Sequence, residues 1–227
     1  MDNPSLSAFR SELYGPKKDP SSFVVSPMVG TSLPWAQIPI PHVKEVVKAH
    51  WDDDALPLES FPLDESVELT LCYFLLSLRK EGSFEKQMGF LQGKIRYANS
   101  WMITDGLSQA IKKAPLENYH SYYSFFVRSK DVYARRFAYV FALRYYREKD
   151  LAFLLGELRY DQEYYVTMAQ AWLLATLGIS HFEEIVSFLQ KPSCPKLLFQ
   201  KSISKMRDSF RISPEHKEIL KRIRDNR

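Results

Sequence analysis

Apolar residues recur along this chain at the spacing of α-helices rather than of β-strands. Residues 67–78 are apolar almost all the way round a helical wheel, as expected of a buried helix. Comparable segments follow at nearly constant intervals, with starts near Ser100, Tyr133, Tyr165 and Leu198. Counted from Ser66, the successive intervals are 34, 33, 32 and 33 residues. Each segment is followed by a second, amphipathic helix, at residues 84–96, 118–128, 149–159, 181–190 and 213–224.

This period and this pairing predict a stack of helical hairpins. Glycine, serine and proline fall between the predicted helices, where caps and breakers belong, and no strand alternation of useful length occurs. We therefore expect an all-α solenoid of antiparallel hairpins, with one helix layer forming a concave surface and the other covering its back. The chain is interpreted as one domain, residues 1–227, in which residues 66–227 form the repeats and residues 1–65 diverge from them.

The amino-terminal region departs from the repeat pattern. Short helices are expected at residues 5–14 and 41–49. Residues 21–41 cannot form one continuous helix, because they contain Pro27, Gly30, Pro34, Pro39 and Pro41. We predict an ordered loop that is folded against the repeats by its apolar side chains, namely Phe23, Val24, Val25, Met28, Leu33 and Trp35.

The composition is that of a protein with a sizeable core. Of 227 residues 45% are apolar, and no stretch resembles a membrane span or a signal peptide, so a soluble, cytoplasmic protein is expected. The two cysteines, Cys72 and Cys194, show no pairing pattern, which fits a reducing compartment and argues against a disulfide framework. The histidines are scattered without the spacing of metal ligands, so no metal site is expected.

Charge is distributed unevenly along the chain. The net charge is +4, but residues 1–66 hold five basic and ten acidic side chains, a balance of −5, so the remainder carries +9. A basic body suits a polyanionic partner bound along one surface. A solvated, charged helix surface explains the same numbers equally well.

The candidate chemistry centres on Trp101 and Asp105. These residues are four apart in a predicted helix, so the indole and the carboxylate share one helical face. A second indole, Trp172, follows later in the chain, and two arginines, Arg135 and Arg136, lie between the two tryptophans. Neighbouring residues cannot share a helix face, so at most one of these arginines points into a groove. Taken singly, a tryptophan in a helical repeat is more often part of the core. Together, the aromatic plates, carboxylate and arginine suggest a cationic, sugar-bearing ligand.

From about residue 66 to residue 210, the order and spacing of these features resemble a known family. The similarity rests on the Trp-x-x-x-Asp element at Trp101 and Asp105, on two arginines followed by small and apolar residues at 135–142, and on Trp172 in a helix preceded by Tyr164 and Tyr165. On hairpins of about 33 residues, these features resemble the HEAT-like repeat DNA alkylation repair family, which includes the AlkD-like alkylpurine DNA glycosylases.

The resemblance implies a role for each of these residues. Trp101 and Trp172 would be the aromatic walls beside the deoxyribose of the lesion. Asp105 would be the catalytic carboxylate, and Arg136, with Arg135 beside it, would contact the DNA backbone. The expected partner is double-stranded DNA, bound by a monomer through a basic concave surface, with no metal and no organic cofactor. A purine alkylated at N3 or N7 is already cationic and leaves as a neutral base. The enzyme therefore has only to stabilise the sugar cation and place a water. The resemblance also implies that it does so without flipping the base, unlike most enzymes that act on bases in duplex DNA.

Two departures from the family pattern keep other functions open. Glycosylases of this type use a basic, aromatic helix near the amino terminus to reach the minor groove, and here residues 23–41 replace it with a proline-broken segment. One turn beyond Trp172, where a basic backbone contact would be useful, the chain has Ala175. Both changes remove DNA contacts and leave the catalytic residues in place. The alternatives to a glycosylase are a catalytically silent paralogue that binds DNA weakly and a protein-interaction scaffold.

Overall fold

The computed structural model describes residues 3–15, 19–112, 116–145 and 150–225, with residues 116–118 and 145 described by their backbone alone. In these residues the regular structure is helical, and the only extended pairing is an isolated bridge between Val24 and Trp35. The all-α class predicted from the sequence is therefore confirmed for the described residues. The chain divides into two compact units, Met1–Pro115 and Leu116–Arg227.

The α-helices described in the first unit are α1 (Pro4–Tyr14), α2 (Ile40–Ala49), α3 (Val67–Glu81), α4 (Phe84–Lys94) and α5 (Trp101–Ala110). Most of them begin at a side-chain cap of the kind that the sequence pattern indicated. Asn3, Ser66, Ser83 and Ser100 accept hydrogen bonds from amides in the first turns of α1, α3, α4 and α5. Helix α3 is buried along most of its length and packs against α2, α4 and α5. This burial explains why its sequence is apolar all the way round.

The second unit contains α6 (Leu116–Val127), α7 (Val132–Tyr145), α8 (Leu151–Glu157), α9 (Tyr164–Leu177), α10 (Phe182–Leu189), α11 (Lys196–Asp208) and α12 (Pro214–Asp225). Helices α7, α9 and α11 pack side by side in chain order, and α10 and α12 pack on the helices that precede them. The core beneath α6 and α7 is aromatic. Phe137 stacks on Phe141 at 5.5 Å between ring centroids, and Phe126 meets Phe137 edge-on at 5.0 Å.

The predicted repeat spacing is confirmed by where the helices begin. The first helix of each repeat starts within two residues of its predicted position, at Val67, Trp101, Val132, Tyr164 and Lys196. The second helices agree equally well, although the predicted start at residue 149 lies outside the described residues and α8 is described from Leu151. The two amino-terminal helices, predicted at residues 5–14 and 41–49, are α1 and α2.

Residues 23–39 form the predicted irregular segment, here called the proline loop. It contains the bridge between Val24 and Trp35 and one turn of 3-10 helix at Pro27–Val29. Its buried residues are Val29, Leu33, Ala36 and Ile38. The prediction that Val24, Val25 and Met28 anchor the loop is wrong, because all three are exposed, Met28 to 73%.

Polar contacts hold the proline loop where those side chains do not. Glu68, buried at the start of α3, accepts the backbone N–H of Ala36 at 3.1 Å and of Ile38 at 3.0 Å. The Ser100 hydroxyl donates to the Val29 carbonyl at 2.7 Å, and the Val67 amide donates to the carbonyl of Pro34 at 2.9 Å. These hydrogen bonds attach the loop to the amino-terminal ends of α3 and α5. They also supply the partners that the buried backbone groups of a loop need.

Candidate nucleic-acid interface

Trp101 and Asp105 lie on one face of α5, in the first unit. The helix runs unbroken from Trp101 to Ala110, so the two residues are one turn apart, about 6 Å along the axis. Both side chains are partly exposed. The Thr104 hydroxyl lies 3.4 Å from the Asp105 carboxylate and closer to the carbonyls of Ser100 and Trp101. The structure thus places this indole and this carboxylate one turn apart on one helix, and their joint role in a site stays a prediction.

The indole of Trp101 is positioned by the proline loop. Its Nε1–H donates a hydrogen bond of 2.7 Å to the carbonyl of Met28. Ser100, the cap of α5, binds the next carbonyl of the loop at Val29. The loop therefore fixes the orientation of the ring, a contact across 73 residues that the sequence did not reveal.

Gly106 explains how α5 can approach α3 closely beside Asp105. A β-carbon at this position would lie 2.8 Å from a terminal methyl carbon of Leu71 on α3. The glycine does not end the helix, since α5 continues to Ala110. Asp105 is therefore a mid-helix residue, and its side chain is not needed to stop α5.

In the second unit, Arg135 and Arg136 are both engaged with the protein. Arg135 forms an ion pair with Asp161 at 2.6 Å and donates to the carbonyls of Ser129 and Lys130. Arg136 is only 6% exposed and donates to the carbonyl of Tyr165 in the first turn of α9, at 2.6 Å. A contact between either guanidinium and a DNA backbone stays a prediction. For Arg136 it would use the small exposed part of the side chain or replace the bond to Tyr165.

Tyr133 belongs to the same cluster at the start of α7. Its ring lies 6.4 Å from that of Tyr165. Burial raises the pKa of Tyr133 to about 12, and the nearby Tyr165 adds to that shift. The phenol consequently stays neutral at physiological pH and offers a hydroxyl rather than a charge.

Trp172 is the exposed aromatic residue of α9, with 42% of its surface accessible. It lines a cleft of about 370 Å³ between α9 and the turn that joins α11 to α12. Lys205, Phe210 and Arg211 line the same cleft together with one acidic residue, Asp208, and Phe210 is 92% exposed. Ala175, where the sequence lacks a basic residue, also faces this cleft. The cations near Trp172 are therefore contributed by α11 and the following turn.

A surface of aromatic and basic side chains runs along α9 and α11. Tyr164, Met168 and Trp172 follow at four-residue intervals on α9, as do Leu197, Lys201 and Lys205 on α11. The Lys201 ammonium lies 5.9 Å from the centroid of the Tyr164 ring. We call Tyr164, Trp172, Lys201, Lys205 and Arg211 the aromatic-basic stripe. Sequence reasoning singled out Trp172 but missed Lys205, Phe210 and Arg211. The signal for Lys205 was its four-residue spacing on α11, and the signal for Phe210 and Arg211 was an aromatic residue next to a cation in a turn.

The described parts of the chain contain no group of three or more histidine, cysteine or acidic side chains that could hold a metal ion. Cys72 and Cys194 are buried and form no disulfide, and burial raises the pKa of the Cys72 thiol, which makes it a weak nucleophile. None of the described helices is both long and apolar enough to span a bilayer.

The helical repeats and these two surfaces define a repeat protein with exposed aromatic, acidic and basic groups. Residues 33–211 match the family described as DNA alkylation repair enzyme, and the chain belongs to that family. A solved structure described as a predicted DNA alkylation repair enzyme from Enterococcus faecalis is similar in fold, with a TM-score of 0.57 at 14% sequence identity. The similarity covers 92% of this chain and 98% of that one. Comparison with curated proteins gives no match.

Proposed function

We propose that the chain is a DNA glycosylase that hydrolyses the N-glycosidic bond of cationic N3- or N7-alkylpurines in duplex DNA. The observation that carries this proposal is the pair of Trp101 and Asp105 on one partly exposed face of α5, in a chain of the DNA alkylation repair family. The pair has the two groups that the reaction needs, a negative charge for a developing sugar cation and an aromatic face beside it.

In the proposed reaction the bond between C1′ and the purine nitrogen breaks first. Its electron pair moves onto the purine, which loses its positive charge and leaves as a neutral base. The sugar cation that remains is stabilised by the carboxylate of Asp105 and by the π-face of Trp101. A water oxygen then bonds to C1′ and gives up a proton to Asp105, from which it passes to solvent.

The aromatic-basic stripe supports binding of a polyanion by the second unit. Trp172 offers an exposed ring, and Lys205 and Arg211 offer positive charge beside it for phosphate groups. We assign Arg136 a smaller part than the resemblance implies, because its guanidinium is already bound to the Tyr165 carbonyl.

The proposal is tested by base release under single-turnover conditions. Duplex DNA carrying N7-methylguanine or N3-methyladenine is incubated at low salt with an excess of wild-type protein or of Asp105→Asn. The variant should release base at least about 100-fold more slowly, since removing one stabilising group typically costs this much, and should keep its DNA affinity. Asp52→Asn removes the same charge from an exposed site elsewhere in the unit and should behave as wild type.

The second candidate is a DNA-binding paralogue without catalysis. Two observations favour it. The irregular proline loop stands where the family pattern has a basic, aromatic DNA-binding helix, and Arg135 is engaged with Asp161. For such a protein, wild type and Asp105→Asn would be equally inactive while both bind duplex DNA. A protein-interaction scaffold would show neither activity nor salt-dependent DNA binding.

A further inference from the structure

A second cleft, in the first unit, is formed by α2, α3, α5 and the residues that follow α5. Its volume is about 520 Å³, within the usual range of ligand sites. Among the lining residues that the structure describes, four side chains are positively charged, Lys44, Lys48, Arg79 and Lys112, and none is acidic. We call it the basic cleft. Its floor is apolar, because Val47, Leu75, Gly106 and Ala110 also line it.

Two cations of the basic cleft, Lys44 and Arg79, contact neutral groups. The Lys44 ammonium donates to the side-chain oxygen of Gln109 at 3.1 Å. The guanidinium of Arg79 lies over the ring of Trp51, 5.0 Å from its centroid. These neutral partners orient Lys44 and Arg79 without cancelling their charge. A cleft lined by one sign of charge concentrates ions of the opposite sign.

Helix ends explain only part of this arrangement. Lys48 and Arg79 lie in the last turns of α2 and α3, where the helix dipole favours cations. That effect acts on each helix separately and would be satisfied by cations pointing away from one another. It does not account for four cations that line one cleft, with no acidic residue among the described residues of the lining.

We propose that the basic cleft binds a phosphodiester group of the DNA, which rests on the proposed function and adds a binding site to it. The cleft shares α5 with the candidate catalytic residue. Gln109 lies one turn beyond Asp105, about 6 Å along the axis, and on the same face. Residues 1–66 are net acidic, and two of their five basic side chains, Lys44 and Lys48, line the basic cleft.

Charge removal tests the proposal through the salt dependence of binding. Lys48→Gln combined with Arg79→Gln should weaken affinity for unmodified duplex DNA severalfold and lower the slope of log affinity against log salt by about one. The control combines Lys86→Gln with Arg96→Gln, which removes an equal charge from exposed residues of the same unit. Arg96 is a close match for Arg79, because its guanidinium also lies over an aromatic ring, that of Tyr97, at 4.9 Å. The control should bind as wild type does.

A free anion is distinguished from DNA in a second arm. Inorganic phosphate is added at constant ionic strength, and its stabilisation of wild type and of the double variant is followed by thermal unfolding. Loss of phosphate stabilisation in the variant, with DNA affinity unchanged, would assign the cleft to free anions and overturn the proposal. Equal loss of DNA affinity in variant and control would also overturn it, as would a wild type that does not bind duplex DNA.

Failure of the cleft proposal and of the glycosylase proposal can be told apart. If the chain binds DNA through the basic cleft but releases no base, the cleft proposal stands and the glycosylase proposal fails. A chain that releases base equally well after Lys48→Gln and Arg79→Gln, with an unchanged salt slope, shows the reverse.

Discussion

The ring of Trp101 is held by a group outside its own helix. The Met28 carbonyl accepts the indole N–H at 2.7 Å. The next residue of the proline loop, Val29, is buried and accepts a hydrogen bond from the Ser100 hydroxyl. A side chain that must present one face to a sugar benefits from such a fixed orientation, since a loosely held group loses catalytic effect. The proline loop therefore supports the candidate site even though it replaces the basic helix of the family pattern.

Trp101→Phe should separate this positioning from the aromatic surface itself. The phenyl ring keeps an aromatic face but cannot donate to Met28, so the free energy of unfolding should fall by about 1 kcal/mol, the usual net value of one hydrogen bond. Base release should slow, while DNA affinity stays nearly unchanged. Urea unfolding and single-turnover assays measure the two effects.

Trp172→Phe is the matched control for stability. The indole nitrogen of Trp172 has no hydrogen-bond partner among the described residues, and its ring is exposed. This variant should lose little stability. Equal losses in the two variants would show that the bond from Trp101 to Met28 does not matter.

The arginine pair shows what spacing can and cannot predict about single residues. Adjacent helical positions cannot share a face, and Arg135 and Arg136 do turn to different partners, Asp161 and the Tyr165 carbonyl. The partners themselves follow 26 and 29 residues later in the chain, and no pattern in the sequence indicates them. The placement of Trp101 and Asp105 on one helix face was predictable because it depends only on helix geometry.

At the scale of elements, the helices were predicted well because their signals are local. Apolar spacing and caps such as Ser66 and Ser100 determine where α3 and α5 begin. The proline loop was predicted to be irregular for an equally local reason, the ring of each proline. Its attachment was predicted only in part, because Leu33 is buried as expected whereas Val24, Val25 and Met28 are exposed. Hydrophobicity suggested that Met28 packs inward, whereas the buried carboxylate of Glu68 holds the loop through two backbone amides.

His50 joins α1 to the end of α2 and makes the stability of the first unit depend on pH. Its ring nitrogens lie 2.8 Å from Glu12 and 3.1 Å from Asp53. Burial lowers the pKa of His50, but the hydrogen bonds to these two carboxylates outweigh it and raise the pKa above its ordinary value of 6.5. A histidine whose pKa is higher in the folded state contributes stability below its unfolded pKa. That contribution is lost as pH rises through the folded pKa.

His50→Gln should therefore reduce the free energy of unfolding more at about pH 6 than at about pH 8.5, on either side of the ordinary histidine range. Urea unfolding at the two pH values gives the comparison. Glu12→Gln combined with Asp53→Asn should produce the same change, because it removes the partners instead of the ring. A loss that does not vary with pH would mean that the charge of His50 contributes nothing.

At the scale of the whole chain, charge is arranged more locally than the segment totals suggested. Residues 1–66 have a net balance of −5, which by itself indicates no basic surface in this region. Within it, however, Lys44 and Lys48 line a cleft whose described residues include no acid, and Glu12 and Asp53 are engaged with His50. Counting charges along a sequence cannot separate acids that pair with a neighbour from cations that line a surface.

The second unit provides a test of whether the aromatic-basic stripe contacts DNA. Lys201→Gln combined with Lys205→Gln removes two cations beside Tyr164 and Trp172. Because each neutralised phosphate contributes about 0.9 to the salt slope, the slope for duplex DNA should fall by about two and affinity should weaken at low salt. Lys217→Gln combined with Lys221→Gln makes the same change in charge on α12, at residues that are not among those lining the cleft of Trp172, and should leave the slope as in wild type. Fluorescence anisotropy at several salt concentrations gives both slopes. If the two double variants lose the same slope, the positive charge of the unit acts as a diffuse field, and α9 and α11 do not form a defined binding surface.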